Sequence, residues 1–207
     1  MMKWSVMTGK LKGIPSLNTS PLDNKFCEAM SKKKDSICGS CYSISMLTRH
    51  RKSCREPWKI NGEFLSRKVH PREYLPKPPN ALYVRFSSHG ELINENHCLN
   101  LFKLCTMSPN TTFTLWTKRT NIVNKAIKKF GKPDNLILIY SAPKVDTNVE
   151  MKGIRLNIQP KLPKHFDKVF IVQSKKDSKT NCFGACMDCL KCYTKTDTTT
   201  HIYEEIK

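Results

Sequence analysis

The chain has no apolar run approaching the roughly 20 residues that span a bilayer. Its first residues, MMKWSVMTGKLKGIPS, lack the apolar stretch of a secretory signal. A membrane partner is therefore not expected, and the expected compartment is a reducing cytoplasm. There is no internal repeat and no long low-complexity segment, which argues against a repeat array. No recognised RNA or DNA module is present either. Acidic residues are scarce: 17 Asp and Glu against 36 Lys and Arg leave a formal net charge of +19. An excess of that size suggests a polyanionic partner, tRNA or another RNA, because basic side chains that neutralise phosphates release condensed counterions. The plain alternative is a solvated lysine-rich surface.

What the chain has in quantity is cysteine, ten in 207 residues. In a reducing compartment clustered thiols hold metal or do redox chemistry more often than they form disulfides. Cys182, Cys186, Cys189 and Cys192 are spaced C-x3-C-x2-C-x2-C in the run CFGACMDCLKC. Soft thiolates at this spacing can wrap one small metal centre, and Gly184 and Ala185 keep the loop small where it turns. Zinc competes, but zinc ribbons separate their cysteine pairs by about a dozen residues or more. The tight spacing favours a [4Fe-4S] cluster, with one or two per chain expected.

The first three of these cysteines also match the spacing of radical S-adenosylmethionine enzymes, which makes S-adenosylmethionine a second candidate ligand. In those enzymes the triplet follows the first barrel strand. Here it lies near the C-terminus, with Cys192 as a fourth thiolate. A second group comprises Cys27, Cys38 and Cys41, with Cys54 further on. Cys38-Gly39-Ser40-Cys41-Tyr42 is a C-x2-C-Y knuckle that Cys189-Leu190-Lys191-Cys192-Tyr193 repeats. Either each group holds its own cluster or ligands from both meet at one. Cys27 and Cys54 read equally well as core residues, and Cys98 and Cys105 read as packing residues on a buried helix face.

The middle of the chain carries the fold argument. Apolar runs at 81–86 (ALYVRF), 112–117 (TFTLWT) and 135–140 (NLILIY) predict strands, and 166–172 (FDKVFIV) predicts a fourth. Cys98, Leu101, Phe102 and Cys105 predict a helix between the first two. Ile122, Val123, Ala126, Ile127 and Phe130 predict another, closed by Gly131. A further helix is expected from Ser20 as cap with Pro21 in its first turn, and one more after Cys41. The alternation predicts an α/β fold, a partial (β/α) barrel or open parallel sheet, with cysteine-rich segments at both ends. A single domain is expected over residues 1–207. Residues 1–75 form its N-terminal cysteine segment, 80–175 the βα core, 176–193 the cluster-binding motif and 194–207 a loosely held tail.

Parallel sheets gather ligands at the carboxyl ends of their strands. The turn Ser87-Ser88-His89-Gly90-Glu91 follows the first predicted strand. Ser87, Ser88, His89 and Glu91 are therefore candidate catalytic residues for hydrolysis of an ester or phosphoester. Arg85, Lys118, Arg119 and Ser141 are candidate substrate contacts at the same mouth. An ordinary polar turn is the plain alternative. The basic runs Ser31-Lys32-Lys33-Lys34, Arg49-His50-Arg51-Lys52 and Ser174-Lys175-Lys176 are each a solvated face when read singly. Together they offer a polyanion site if they converge near the cysteines.

The order of these features is a C-x2-C-Y knuckle, a strand reading VRFSSHGEL, a helix, a strand reading FTLWTKR, and a late cysteine cluster. It resembles the cysteine-rich phage proteins of the gene product 88 family, themselves similar to compact radical S-adenosylmethionine barrels. The likeness covers residues 27–192. The family's corresponding turn is of the kind His-Asp-Ser-Gly-Asp, which Ser87-Ser88-His89-Gly90-Glu91 matches in part. Its next strand resembles Phe113-Thr114-Leu115-Trp116-Thr117-Lys118 closely. The resemblance implies a partial parallel barrel, an iron–sulfur cluster, a viral origin and residence in a host cytoplasm. The expected function is an iron–sulfur enzyme with a hydrolase-type site at the sheet edge. The alternatives are radical S-adenosylmethionine chemistry and a non-catalytic, cluster-stapled nucleic-acid-binding protein.

Overall fold

Six parallel strands lie side by side in the order in which the chain makes them: β1 (Ser16–Leu17), β2 (Tyr83–Phe86), β3 (Thr112–Thr117), β4 (Leu136–Val145), β7 (Lys168–Gln173) and β8 (His201–Glu205). A separate hairpin, β5 (Asn148–Met151) with β6 (Ile154–Asn157), is inserted after β4. The structure is a computed structural model that describes residues 2–34, 36–146, 148–151, 154–157, 159–175 and 179–205. Strands β1 and β8 stand at opposite edges, so the sheet is open. The α/β expectation of an open parallel sheet holds.

Alternation along the strands divides the side chains between two faces. Leu17, Val84, Phe86, Phe113, Leu115, Leu136 and Leu138 enter the main core. There they meet Leu65 of α3 (Arg55–Arg67), Cys98, Leu101, Phe102 and Cys105 of α4 (Glu95–Met107), and Ile122, Val123 and Ala126 of α5 (Thr120–Phe130). Phe86 and Phe113 stack across neighbouring strands with ring centres 5.2 Å apart. Cys98 and Cys105 are fully buried here, as expected of packing residues. Helix α4 starts where the Asn94 side chain accepts the His97 amide at 3.0 Å. Helix α5 ends at Gly131, whose φ of +79° suits a residue without a Cβ.

Ile137, Ile139 and Trp116 face the other way and are covered by Ile14 and Tyr193, with Cys186, Leu190 and Cys192 packed against them. The cysteine segment between β7 and β8 thus lies on the face opposite the helices.

Two expectations need correction, and one helix was not foreseen. The tail is not loosely held: residues 201–205 form the edge strand β8, with Ile202 and Tyr203 buried. Pro21 does not open a long helix, because Pro21–Asp23 is a 3-10 turn. Helix α1 (Lys25–Ser31) begins instead at Asn24, whose Oδ1 accepts the Phe26 amide at 3.0 Å. The helix α3, with Pro57 and Gly62 inside it, was not legible as a helix.

Candidate functional site

Strand β4 supplies the first piece of the mouth. Pro143 has no amide to donate, and the β4–β7 register shifts between Ser141 and Val145, where a proline is tolerated. The Pro143 carbonyl is left to accept the Ser36 hydroxyl at 3.3 Å. Ser36 Oγ also accepts the Cys38 amide at 3.1 Å, capping the 3-10 turn Ile37–Ser40. One serine therefore ties the Cys38–Cys41 knuckle to the carboxyl end of β4. Asn24 does the same for Cys27: besides capping α1, its Nδ2 donates to the Glu91 carbonyl after β2 at 2.9 Å.

These anchors bring the three thiols of the N-terminal group together. Burial raises the Cys27 thiol strongly, and the nearby Glu91, Cys41 and Cys38 push it further, against the Lys118 charge. All three cysteines follow the first strand and sit over the carboxyl edge of the sheet. Cys54 does not join them. It packs with Leu22 against Met46, Leu47 and Trp58.

The four C-terminal cysteines form a second group on the face opposite the helices, around the short helix α6 (Cys186–Cys189). Burial pushes Cys192 up to about 12; Arg85 opposes this, and Cys182, Cys186 and Cys189 add to it. Burial likewise raises Cys182 and Cys186. Lys10 Nζ donates to Cys182 Sγ at 3.5 Å and to Glu204 Oε1 of β8 at 2.5 Å. The two groups therefore assemble separately.

All ten cysteines are free thiols. Among the described residues, no three His, Cys, Asp or Glu side chains stand in metal-ligand geometry. The chemistry of both donor sets nevertheless fits a soft metal centre: clustered, unpaired thiols, each set beside a basic side chain. A metal would have to displace the protons that burial favours on Cys27, Cys182, Cys186 and Cys192.

The turn after β2 is pinned rather than poised. Ser87 takes the left-handed conformation (φ +56°), which is sparsely populated for a side-chain-bearing residue. Gly90 (φ +81°) lies so close to the segment after β1 that a Cβ would meet Thr19 oxygens at 2.3 Å. Ser88 Oγ lies 2.8 Å from Ser16 Oγ. Glu91 is buried and accepts three donors: the Leu92 amide at 2.8 Å, the Thr117 hydroxyl at 2.5 Å and the Lys118 amide at 2.8 Å.

His89 bonds to neither serine of its own turn. Its Nδ1 lies 2.8 Å from Ser43 Oγ in α2 (Tyr42–Arg49), and its ring stacks on Trp58 at 4.6 Å. Burial, with Arg85 and Arg51, lowers its pKa to about 4, so the ring is neutral near pH 7. Ser43 escaped the sequence reading because nothing local links it to His89, 46 residues away.

The candidate substrate contacts divide. Lys118 Nζ donates to Ser141 Oγ at 3.1 Å, so these two meet at the mouth. Arg119 turns aside to hold the Leu92 and Ile93 carbonyls at 3.1 and 2.7 Å. Arg85 points to the face opposite the helices, its guanidinium 3.6 Å over the Trp116 ring. Lys32, Lys33 and Lys34, and residues 49–52, are exposed at the ends of α1 and α2. Lys176 lies outside the described residues. No helix among the described residues is long and apolar enough to cross a membrane.

The profile of the family described as Gene product 88 matches residues 7–202. No curated protein and no solved structure matches the chain.

Proposed function

The chain belongs to the gene product 88 family, and from that premise we propose that it is an iron–sulfur enzyme of viral origin whose reaction takes place at the carboxyl edge of its sheet. The observation that carries this reading is the gathering of Cys27, Cys38 and Cys41 over that edge, directly after the first strand. Three thiols would leave one position of a four-iron cluster for a ligand that the chain does not supply. That arrangement would suit S-adenosylmethionine chemistry, for which the sequence spacing alone had favoured the C-terminal group. Cys182, Cys186, Cys189 and Cys192 would hold a second, fully ligated cluster with a structural or electron-transfer role.

When bound, such clusters supply one-electron chemistry. The chain's own part is to position and to exclude water. Ser36 and Asn24 fix the thiol-bearing turns to the strand ends, and Glu91 locks the β2 turn to β3. Lys118 and Ser141 present polar groups to whatever enters the mouth. The exposed basic runs flanking α1 and α2 support a nucleic-acid substrate for the same mouth.

The test is anaerobic purification followed by iron and acid-labile sulfide analysis. The wild type is compared with a Cys27→Ala, Cys38→Ala, Cys41→Ala triple variant and with a Cys182→Ala, Cys186→Ala, Cys189→Ala, Cys192→Ala quadruple variant. Each variant should lose about four irons, the content of one such cluster. Only the triple variant should lose perturbation of the spectrum by added S-adenosylmethionine. A colourless wild-type protein carrying zinc would sink the proposal.

Hydrolysis is a second reading, now resting on Ser43 rather than on the serines of the β2 turn. A neutral imidazole 2.8 Å from a hydroxyl is the geometry of a base and its nucleophile. Ester or phosphoester turnover that survives Ser43→Ala would remove it.

A further inference from the structure

Arg85 lies on the face opposite the helices without a carboxylate partner within ion-pair distance among the described residues. Its Nε is buried with no hydrogen-bond partner, and so are Thr114 Oγ1 and Trp116 Nε1. Thr114 is 0% and Trp116 6% exposed. Buried polar groups without partners are uncommon, and each costs the free energy of a lost hydrogen bond.

The three belong together in space. Arg85 and Thr114 are directly paired across β2 and β3, which sets their backbones about 5 Å apart. Trp116 is two residues further along the same face of β3, about 7 Å from Thr114, and carries the guanidinium on its ring. All three groups are hydrogen-bond donors, one of them charged. The Tyr193 hydroxyl beside them is neutral and is itself buried, so a patch whose donors and positive charge outnumber its acceptors is complementary to an acceptor-rich anion.

We propose that Arg85, Thr114 and Trp116 form a binding site on the face opposite the helices for an oxyanion, the carboxylate or phosphate group of a small molecule. The site is separate from the carboxyl-edge mouth and does not require loaded thiols. It goes beyond the iron–sulfur reading and stands or falls without it.

Trp116 reports on its own site. Purified full-length chain is titrated with inorganic phosphate and, separately, with acetate, at an ionic strength fixed with chloride, while tryptophan emission is followed. A saturable change with phosphate identifies a phosphoryl group, and one with acetate a carboxylate; chloride alone should give neither. Arg85→Gln should weaken the binding about 10–100-fold, the scale of one charge-assisted hydrogen bond. Thr114→Val, nearly isosteric and less apt to disturb folding, should weaken it about tenfold. Failure of both anions to give a saturable response overturns the proposal, as does a response unchanged in Thr114→Val. So does a change confined to the iron content or visible spectrum of Arg85→Gln, because the donors would then face the metal centre.

Discussion

His89 Nδ1 lies 2.8 Å from Ser43 Oγ, across the mouth from the turn that carries it. The contact joins α2, which follows the cysteine knuckle, to the end of β2, and Trp58 backs the imidazole at 4.6 Å. A hydroxyl, a neutral imidazole and the three N-terminal thiols therefore share the carboxyl edge of one sheet.

The neutrality of that ring has a measurable cost in acid. Burial, with the Arg85 and Arg51 charges, lowers His89 to about 4, and burial lowers His97 to about 3. In the unfolded chain both rings bind protons near pH 6.5. Their contribution to stability is complete above that value. It is lost as the pH falls toward the folded values, because only the unfolded chain takes up protons in that window. Denaturant midpoints should fall steadily below about pH 6.5, each ring contributing about 1.4 kcal/mol per pH unit. His89→Gln should make the decline shallower; an unaltered slope would show that His89 is not the titrating group.

Glu91 should tolerate no loss of charge. Its two oxygens accept donors from Leu92, Thr117 and Lys118, and Gln would turn one of them into a donor facing donors. Glu91→Gln is expected to cost about 1.5–3 kcal/mol, read from chemical denaturation. A loss within error would mean that this carboxylate does not join the two strand ends.

Gly90→Ala should cost at least about 2 kcal/mol, combining an unfavourable positive φ with overlap against a neighbouring backbone. The added carbon meets Thr19 at 2.3 Å, and the clash involves a backbone oxygen that has nowhere to move. A thermal melt equal to the wild type's would contradict the close approach of the turn to the segment after β1.

Thiol reactivity should follow burial. Cys189 is exposed, whereas Cys98 and Cys105 are inaccessible and raised by burial. Iodoacetamide on metal-free protein should label Cys189 first, and Cys98 and Cys105 only after denaturation, as peptide mass spectrometry would show. Early labelling of Cys98 would place that helix face outside the core.

Much of the fold could be read from residue pattern alone. Strand β3 is found at 112–117 as expected, and α4 and α5 contain their predicted apolar faces, because burial on one side imposes a period that sequence displays directly. The edge strand β8 was missed since HIYEE is short and half polar. It gains its place from pairing with Val169 to Gln173, and no local pattern records such pairing. At the site, residue identity singled out the thiols and His89, but not their partners. Ser43, Ser36 and Asn24 earn their roles through contacts spanning 46 to 107 residues, and an ordinary serine or asparagine carries no mark of such a contact.

Each connection from α3 to α5 and the link from β7 to β8 steps sideways in the same direction, yet the last one travels over the opposite face. On its way that link also touches the strand it leads into, since the Asn181 and Cys182 amides both donate to the Tyr203 carbonyl of β8. The thiol-bearing segment and the final strand therefore brace one another, and loosening either should free both.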